Sequence, residues 1–210
     1  MSSAHPAFPG NRPIEVGRRF LLVPGEAPPH NAPPGPDDRI PIHLSRGKAF
    51  GSGLHETTIS CIELIEKIPS LNNKSVLDVG TGTGILSLAC ILLGALRAVA
   101  FDIDRDAARN CKRNAVLNRV SEQLMVFQGT LDALNPSGKF DLVLANIHGD
   151  IILKEANLLT RHIREEGHLV LSGLDYTDSR PVKGIMNANG LEEVSVLFLE
   201  EFVTQVWHRP

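Results

Sequence analysis

The segment DVGTGTG, from Asp78 to Gly84, contains the residues of this sequence best suited to holding a ligand. It continues the apolar run SVL and precedes a helical pattern, so it lies where a strand turns into a helix. Gly80, Gly82 and Gly84 carry no side chains, which lets a ligand approach the backbone N–H groups at the start of that helix. The segment is therefore a candidate ligand-binding loop.

The spacing of the three glycines separates two classes of ligand. A dinucleotide fingerprint needs GxGxxG, but Ile85 stands at the position of the third glycine, so NAD is the poorer match. The pattern GxGxG after an acidic strand end is instead associated with S-adenosylmethionine (SAM). This ligand has no pyrophosphate and needs only close backbone contact with its amino-acid part and ribose. We therefore expect SAM as the cofactor and S-adenosylhomocysteine as the product.

A second acidic residue, Asp102, supports this interpretation. It follows Gly80 by 22 residues, at the end of the apolar run AVAFD, where a carboxylate can accept hydrogen bonds from both ribose hydroxyls. Hydrogen bonds to a charged acceptor contribute about 1.5–3 kcal/mol. Asp104 is better placed to cap the helix that follows. For Asp78 two roles stay open, namely contact with the ligand and holding of the loop.

Alternating strands and helices must position these residues. Short apolar runs predict strands at SVLDVG, AVAFDID, LMVFQG, FDLVLANI and HLVLSGL. Helical patterns lie over about residues 57–68, 83–93, 104–118 and 151–163, followed by a shorter helix with Pro181 in its first turn. The tail LEEVSVLFLEEFVTQVWHRP has the pattern of two strands joined by a turn. This alternation indicates a parallel sheet wrapped by helices, which is an α/β fold.

The prolines divide the chain into two parts. Ten of the 14 prolines lie at or before Pro41. Because proline has no backbone donor and a fixed φ, we predict that residues 1–45 form a proline-rich arm or linker that is not part of a sheet. An extended piece over residues 19–23 could still pair with another segment. Residues 46–210 are predicted to form the catalytic domain.

Composition excludes several classes of protein. The chain has 210 residues, 42% of them hydrophobic, and a net charge of −3, so it lacks the basic excess of a protein held by nucleic-acid phosphates. Three cysteines without CxxC spacing argue against a disulfide framework and a zinc site, and no metal is expected. The longest apolar run, residues 85–96, is too short to cross a membrane, and the N-terminus lacks a secretory pattern. We expect a cytoplasmic protein with no membrane partner.

Several stretches together resemble one family, the ribosomal protein L-eleven lysine methyltransferases, a branch of the class I SAM-dependent methyltransferases. KAFGSGLHETT (48–58) is similar to the family signature AFGTGxHxTT, and DVGTGTG to its SAM loop. AFDID (100–104) and LANIHGD (144–150) are similar to its ribose strand and its ANI motif, and HLVLSGL (168–174) to its fifth strand. The likeness covers about residues 12–208. It implies a Rossmann-like fold with a mostly parallel seven-stranded sheet, helices on both faces and a C-terminal antiparallel hairpin.

The resemblance carries SAM contacts over to Thr58, Gly80, Asp102 and Asn146. Thr58 would start the first helix and present its hydroxyl or backbone N–H to the SAM carboxylate, because helix N-termini favour anions. Backbone groups of Gly129–Thr130 are expected to meet the edge of the adenine ring. The residues expected to bind the cofactor are Thr57, Thr58, Asp78, Gly80, Thr81, Gly82, Gly84, Asp102, Ile103, Gly129, Thr130, Leu131 and Asn146.

Three residues are candidates for catalysis. Asn146 ends the fourth strand, where its carbonyl groups can accept hydrogen bonds from an incoming amine and direct the amine's lone pair at the methyl group. Adenine and glutamine methyltransferases have NPPY at this point, whereas this chain has NIHG, which disfavours methylation of a nucleic-acid base. His55 and His148 lie in the two signature loops and are candidate acceptors of the amine proton, with bulk water as the alternative.

The resemblance implies a SAM-dependent protein methyltransferase that acts on lysine or N-terminal amines, with a large-subunit ribosomal protein as the expected target. Family members usually carry an N-terminal substrate-recognition domain, and we expect this chain to have only the proline-rich arm in its place. The alternatives are a methyltransferase for another protein, an RNA or a small molecule, and a non-catalytic SAM-binding module. Direct nucleic-acid binding is not expected, and the oligomeric state stays open.

Overall fold

The computed structural model describes residues 12–25, 38–45, 55–135 and 137–210, which form two sheets and five α-helices. The small sheet contains β1 (Ile14–Val16), β2 (Phe20–Pro24) and β3 (Ile40–Leu44). The main sheet contains β4 (Ser75–Val79), β5 (Arg97–Asp102), β6 (Leu124–Gln128), β7 (Phe140–Asn146), β8 (Ile163–Asp175), β9 (Glu192–Phe198) and β10 (Phe202–His208). The helices are α1 (Glu56–Ile65), α2 (Ile85–Leu92), α3 (Arg105–Leu117), α4 (Gly149–Arg161) and α5 (Tyr176–Ala188), with a 3-10 turn at Leu131–Ala133.

The main sheet has the strand order β6-β5-β4-β7-β8-β10-β9. Strands β4 to β8 run parallel, and β10 lies antiparallel between β8 and β9. Helices α1 to α3 pack on one face and α4 and α5 on the other, so Val76 and Leu77 of β4 belong to opposite apolar cores. The predicted class I SAM-methyltransferase fold, with its C-terminal antiparallel hairpin, is confirmed. Among the described helices, none combines the length and apolar character needed to span a membrane.

The helix boundaries follow their capping residues. Asp104 caps α3 as expected, since its Oδ1 accepts from the backbone N–H of Asp106 at 2.9 Å. The prediction that Pro181 lies in the first turn of a short helix is wrong, because α5 begins at Tyr176 and Pro181 is its sixth residue. The cap is Asp175, whose Oδ1 accepts from the N–H groups of the second and third helical residues, both at 3.0 Å.

The proline-rich region contributes strands to the small sheet. Strand β2 pairs with both β1 and β3, which confirms pairing of the extended piece over residues 19–23. The expectation that this region is not part of a sheet is wrong for residues 14–16, 20–24 and 40–44. Pro41 is tolerated because β3 is an edge strand and the missing N–H of Pro41 faces away from β2, as does the N–H of His43. The division of the chain at residues 45 and 46 stays a prediction.

Asparagine side chains of α3 attach the small sheet to the main fold. Asn118 accepts from the N–H of His43 at 2.8 Å and donates to the same residue's carbonyl at 2.7 Å, as a neighbouring strand would. Asn114 is fully buried, accepts from the N–H of Ser45 at 2.8 Å and donates to the carbonyl of Thr83 at 2.8 Å. One side chain therefore joins the end of the small sheet to the glycine loop.

Candidate active site

The strand order of the main sheet reverses between β4 and β7. The chain leaves β4 through α2 towards β5 and β6, and it returns by β7 on the other side of β4. In sheets of this kind, ligands bind in the crevice beyond the carboxyl ends of the strands at the reversal. Gly80, Asp102, Gly129 and Asn146 end or directly follow β4, β5, β6 and β7, so the topology brings all four to this crevice.

The glycine loop adopts backbone angles that favour glycine. Gly80, Gly82 and Gly84 have φ angles of +68°, +54° and +83°, in the left-handed region that other residues rarely adopt. A Cβ on Gly80 would overlap Cγ2 of Ile147, the residue that follows β7. The loop therefore packs across the reversal point, and sequence reasoning did not identify Ile147 because it lies far along the chain.

Replacing Gly84 by alanine is expected to lower the free energy of unfolding by about 2–5 kcal/mol. The left-handed conformation costs an L-residue about 1–2 kcal/mol. A Cβ at Gly84 would lie 2.5 Å from Sγ of the buried Cys111, and overpacking of this kind costs about 1–3 kcal/mol. Thermal unfolding followed by circular dichroism measures the effect, which corresponds to a fall in Tm of about 4–20 °C.

Gly184→Ala is the matched control for this variant, since a Cβ at that helical position meets no atom within 4 Å. It is expected to leave Tm unchanged or to raise it slightly, because alanine restricts the unfolded chain more than glycine does. A Gly84→Ala protein as stable as wild type would contradict the close packing of the loop against α3.

Asp78 lies beneath the glycine loop and is only 2% exposed. Its Oδ2 accepts hydrogen bonds from Oγ1 of Thr81 at 2.7 Å and from Oγ of Ser87 at 2.6 Å. Burial raises the pKa of Asp78, and the hydrogen bonds from Ser87 and Thr81 act in the opposite direction. The sequence left open whether Asp78 contacts the ligand or stabilises the loop. These contacts favour stabilisation of the loop, because they connect it to the first turn of α2. Sequence reasoning did not identify Ser87 as a partner of Asp78. The only indication in the sequence was a hydroxyl residue in the first turn of the helix that follows the loop.

Asp102 stands beside the same loop at the end of β5. Its Oδ2 accepts from the N–H of Gly82 at 2.9 Å, its Oδ1 accepts from the N–H of Asp104 at 2.9 Å, and its carbonyl accepts from the N–H of Gly129 at 3.0 Å. The side chain is only partly buried. Because each carboxylate oxygen has a second lone pair, both can still accept from ribose hydroxyls. The structure thus brings Gly82, Asp102 and Gly129 together.

The predicted adenine end of the site lies next to Asp102. Ile103 is 74% exposed, and its carbonyl accepts from Nε2 of Gln128 at 3.1 Å, so it offers an apolar surface held at a fixed position. Thr130 is exposed, and its hydroxyl donates to Asp132 at 2.5 Å. The side chain of Leu131 is buried in the apolar core, which leaves only its backbone for a ligand.

The other end of the crevice joins Asn146 to the start of α1. Nδ2 of Asn146 donates to Oγ1 of Thr58 at 3.4 Å, and Thr58 is 1% exposed. The backbone N–H of Thr58 already donates to the carbonyl of His55 at 2.9 Å. Of the two Thr58 groups expected to meet the SAM carboxylate, the hydroxyl is therefore the one that keeps a hydrogen to donate.

The two histidines occupy helix N-caps. Nδ1 of His55 lies 2.8 Å from Oγ1 of Thr57 and accepts from its N–H at 3.4 Å, while the His55 ring lies 5.5 Å from the ring of Phe202. His148 precedes α4 and is exposed, and its side chain makes no capping hydrogen bond. The role of either histidine as a proton acceptor stays a prediction.

A chain of buried hydroxyl groups supports this end of the site, and sequence reasoning did not identify it. Oγ of Ser60 donates to the carbonyl of Thr57 at 2.9 Å and lies 2.6 Å from Oγ1 of Thr204, which in turn lies 2.6 Å from Oγ of Ser172. Ser172 pairs with Asn146 between β8 and β7. These groups come from α1, β8 and β10, so no local pattern could have indicated them.

Thiol and metal chemistry find no support at this site. Burial raises the pKa of the Cys61 and Cys111 thiols to about 12, so both stay protonated and poorly nucleophilic near neutral pH. Within the described ranges, no group of three or more His, Cys, Asp or Glu side chains is arranged to hold a metal ion. The described residues of the site offer backbone groups, carboxylates, hydroxyls, the amide of Asn146 and the imidazoles of His55 and His148.

Comparison with known proteins finds sequence relatives that cover most of this chain. It matches the profile of the family described as "Ribosomal protein L11 methyltransferase (PrmA)" over residues 8–209. It is 40% identical over 202 residues to ribosomal protein L11 methyltransferase of Pelobacter propionicus, covering 94% of this chain and 63% of that relative. The Bacillus subtilis protein of the same name is 33% identical over 196 residues, covering 91% and 60%. The chain thus spans 60–63% of the length of these curated relatives.

Solved structures agree with the sequence matches. The crystal structure of ribosomal protein L11 methylase from Lactobacillus delbrueckii subsp. bulgaricus superposes with a TM-score of 0.81 at 30% identity, covering 94% of this chain and 98% of that one. An RNA methyltransferase from Salinibacter ruber, solved with S-adenosyl-L-homocysteine, shares the fold alone, with a TM-score of 0.57 at 16% identity and coverage of 72% and 91%. Since the profile match extends along nearly the whole chain that carries this crevice, the chain belongs to the ribosomal protein L11 methyltransferase (PrmA) family.

Proposed function

We propose that the chain is a SAM-dependent methyltransferase that transfers methyl groups to lysine or N-terminal amines of ribosomal protein L11. One observation carries this proposal: the crevice at the strand reversal holds Asp102 beside the glycine loop at one end and the Asn146–Thr58 pair at the other. The first end suits a ribose and the second a reacting amine. The relatives' names supply the substrate class.

The residues present fit SAM. Gly80 and Gly82 carry no side chains, so a ligand can approach the backbone of the loop closely. Asp102 would accept from the ribose hydroxyls, and the exposed side chain of Ile103 would cover one face of the adenine. The Thr58 hydroxyl would donate to the carboxylate of the amino-acid part.

SAM supplies a methyl group that is already activated by its sulfonium. The amine nitrogen attacks that carbon, so an N–C bond forms as the C–S bond breaks, and the protein contributes mainly alignment and exclusion of water. Asn146, held by Thr58, would orient the amine through its carbonyl groups. The lysine must first lose a proton, and with an unperturbed pKa near 10.4 only about 0.1% is neutral near pH 7.4. His55, His148 or bulk water would take that proton.

The proposed substrate also suggests where in the cell the enzyme acts. A ribosomal protein is available in the cytoplasm, where we place the enzyme. We propose no direct contact with nucleic acid. Recognition of the protein substrate would use surfaces of this chain.

Methyl-labelled SAM tests the proposal. The purified chain is incubated with ribosomes whose protein L11 is unmethylated, beside whole-cell lysate, and labelled proteins are separated and identified. Label in protein L11 is expected, and Asn146→Ala is expected to remove it. Label only in another protein would overturn protein L11 as the substrate. Label that survives protease but not nuclease treatment would indicate that the methyl acceptor is RNA. No label anywhere, despite measurable SAM binding, would indicate a binding module instead of an enzyme.

A further inference from the structure

An exposed aromatic pair stands on the surface without a role in the proposed cofactor site. The side chains of Tyr176 and Phe198 are 49% and 62% exposed. Their rings stack with centroids 6.1 Å apart and planes 5° from parallel, and the Tyr176 hydroxyl donates to the carbonyl of Leu199. The pair, called here the aromatic platform, is therefore a fixed apolar surface.

The aromatic platform lies at the same edge of the sheet as the transfer end of the crevice. Tyr176 directly follows β8, the strand that pairs with β7 through Asn146 and Ser172. Phe198 ends β9, and the next strand begins at Phe202, whose ring contacts His55 at the N-cap of α1. The platform is thus continuous with the segment that places Thr58 against Asn146.

Five acids, Asp150, Asp175, Asp178, Glu200 and Glu201, lie in the segments that adjoin the platform or the transfer end of the crevice. Asp178 lies against Gly149, three residues after Asn146, since a Cβ on Gly149 would overlap its carboxylate. Desolvation and the nearby charges of Asp175 and Asp150 raise the pKa of Asp178, which indicates that these carboxylates are close enough to repel one another. Glu200 and Glu201 add two more exposed acids in the turn between β9 and β10.

None of these five acids forms an ion pair with another described residue, although several other carboxylates of the chain do. Within the described ranges, these acids therefore have no cationic side chain bound to them. Their negative potential attracts a cationic partner and repels RNA. A stacked aromatic surface beside it suits lysine in particular, because the lysine stem is apolar and its ammonium group interacts favourably with ring faces and carboxylates.

We propose that the aromatic platform and its five carboxylates dock a lysine-rich, cationic segment of the protein substrate beside the transfer end of the crevice. This inference rests on the proposed function, and it assigns part of substrate recognition to the catalytic fold itself. The occupant is a polypeptide: the ammonium groups meet the acids, and the apolar stems lie on Tyr176 and Phe198.

Binding of acetylated and amidated pentalysine to the full chain tests the surface, with and without S-adenosylhomocysteine. Calorimetry at low and moderate salt measures Kd, and pentaglutamate is the charge-reversed control. The double variant Tyr176→Ala/Phe198→Ala is expected to weaken pentalysine binding about tenfold. The matched control Val116→Ala/Met125→Ala, which removes two other exposed apolar side chains, is expected to leave Kd unchanged.

A second pair of variants tests the charges without touching the rings. Glu200→Gln/Glu201→Gln is expected to weaken binding about tenfold and to reduce its salt dependence, whereas Glu122→Gln/Glu165→Gln, which changes two other exposed acids, is expected to have no effect. This charge pair keeps the test decisive if the alanine pair lowers stability. Tyr176→Phe retains the ring and is expected to bind normally.

The outcomes separate this surface from the proposed function. If wild type does not bind pentalysine, or if all variants bind it equally, the proposed docking surface is wrong. Binding of an oligouridylate decamer that the same variants abolish would overturn the assignment to a polypeptide. Because no turnover is measured, wild type that binds pentalysine but transfers no methyl group would contradict the function and leave the surface in place.

Discussion

Replacing Asn146 by alanine is expected to lower kcat for methyl transfer about 100-fold, because the acceptor amine would lose the group that aligns it. Displacement of a reacting group by about 1 Å costs a factor of this size. The Kd for SAM is expected to change no more than about tenfold, which is the contribution of one neutral hydrogen bond. Single-turnover measurements with labelled SAM give the transfer rate, and calorimetry gives the Kd.

A second test variant and a control accompany Asn146→Ala. Thr58→Val removes the hydroxyl that accepts from Nδ2 of Asn146, so it should lower kcat less than Asn146→Ala does. It should also weaken SAM binding, because the same hydroxyl would donate to the SAM carboxylate. Asn187→Ala changes an exposed asparagine of α5 and should behave as wild type. If Asn146→Ala kept the wild-type kcat, Asn146 would have no place in the transfer step, whatever its effect on SAM binding.

Replacing Asp102 by alanine is expected to weaken SAM binding about 10- to 150-fold. The range follows from the loss of about 1.5–3 kcal/mol when hydrogen bonds to a charged acceptor disappear. The same carboxylate also accepts from the N–H of Gly82, so the variant both removes the ribose acceptor and loosens the glycine loop. Calorimetric titration of the purified variant with SAM measures the combined effect.

A deoxyribose analogue separates these two contributions. Wild type should bind 2′-deoxy S-adenosylhomocysteine more weakly than S-adenosylhomocysteine, and Asp102→Ala should bind the two equally, because the acceptor of the 2′-hydroxyl is gone. Asp106→Ala, which removes an exposed acid from the first turn of α3, is the control and should retain the preference. A preference for the hydroxyl that persists in Asp102→Ala would exclude Asp102 as its partner.

Short-range patterns predicted most of the fold. The apolar runs coincide with the five parallel strands, Asp104 marked a helix start correctly, and the glycine spacing placed a loop at the end of β4. These predictions succeed because strand alternation, helix capping and left-handed turns depend on residues within a few positions of one another. The two proline errors have different origins. Whether Pro41 is tolerated in a strand depends on which neighbour its missing N–H would have met, and that neighbour comes from elsewhere in the fold. The error at Pro181 concerns the start of α5, which Asp175 sets as the N-cap.

The contacts that complete the candidate site depend on the tertiary structure. By itself the sequence determined the glycine loop, the acid at the end of β5 and the asparagine at the end of β7. It did not determine that Asn146 meets Thr58, 88 residues earlier, or that Ser60 meets Thr204, 144 residues later. The aromatic platform likewise requires β9 and β10 to fold beside β8. Each of these pairs comes from different elements, and only the strand order of the sheet and the packing of helices on its faces bring such residues within hydrogen-bonding or ring-stacking distance.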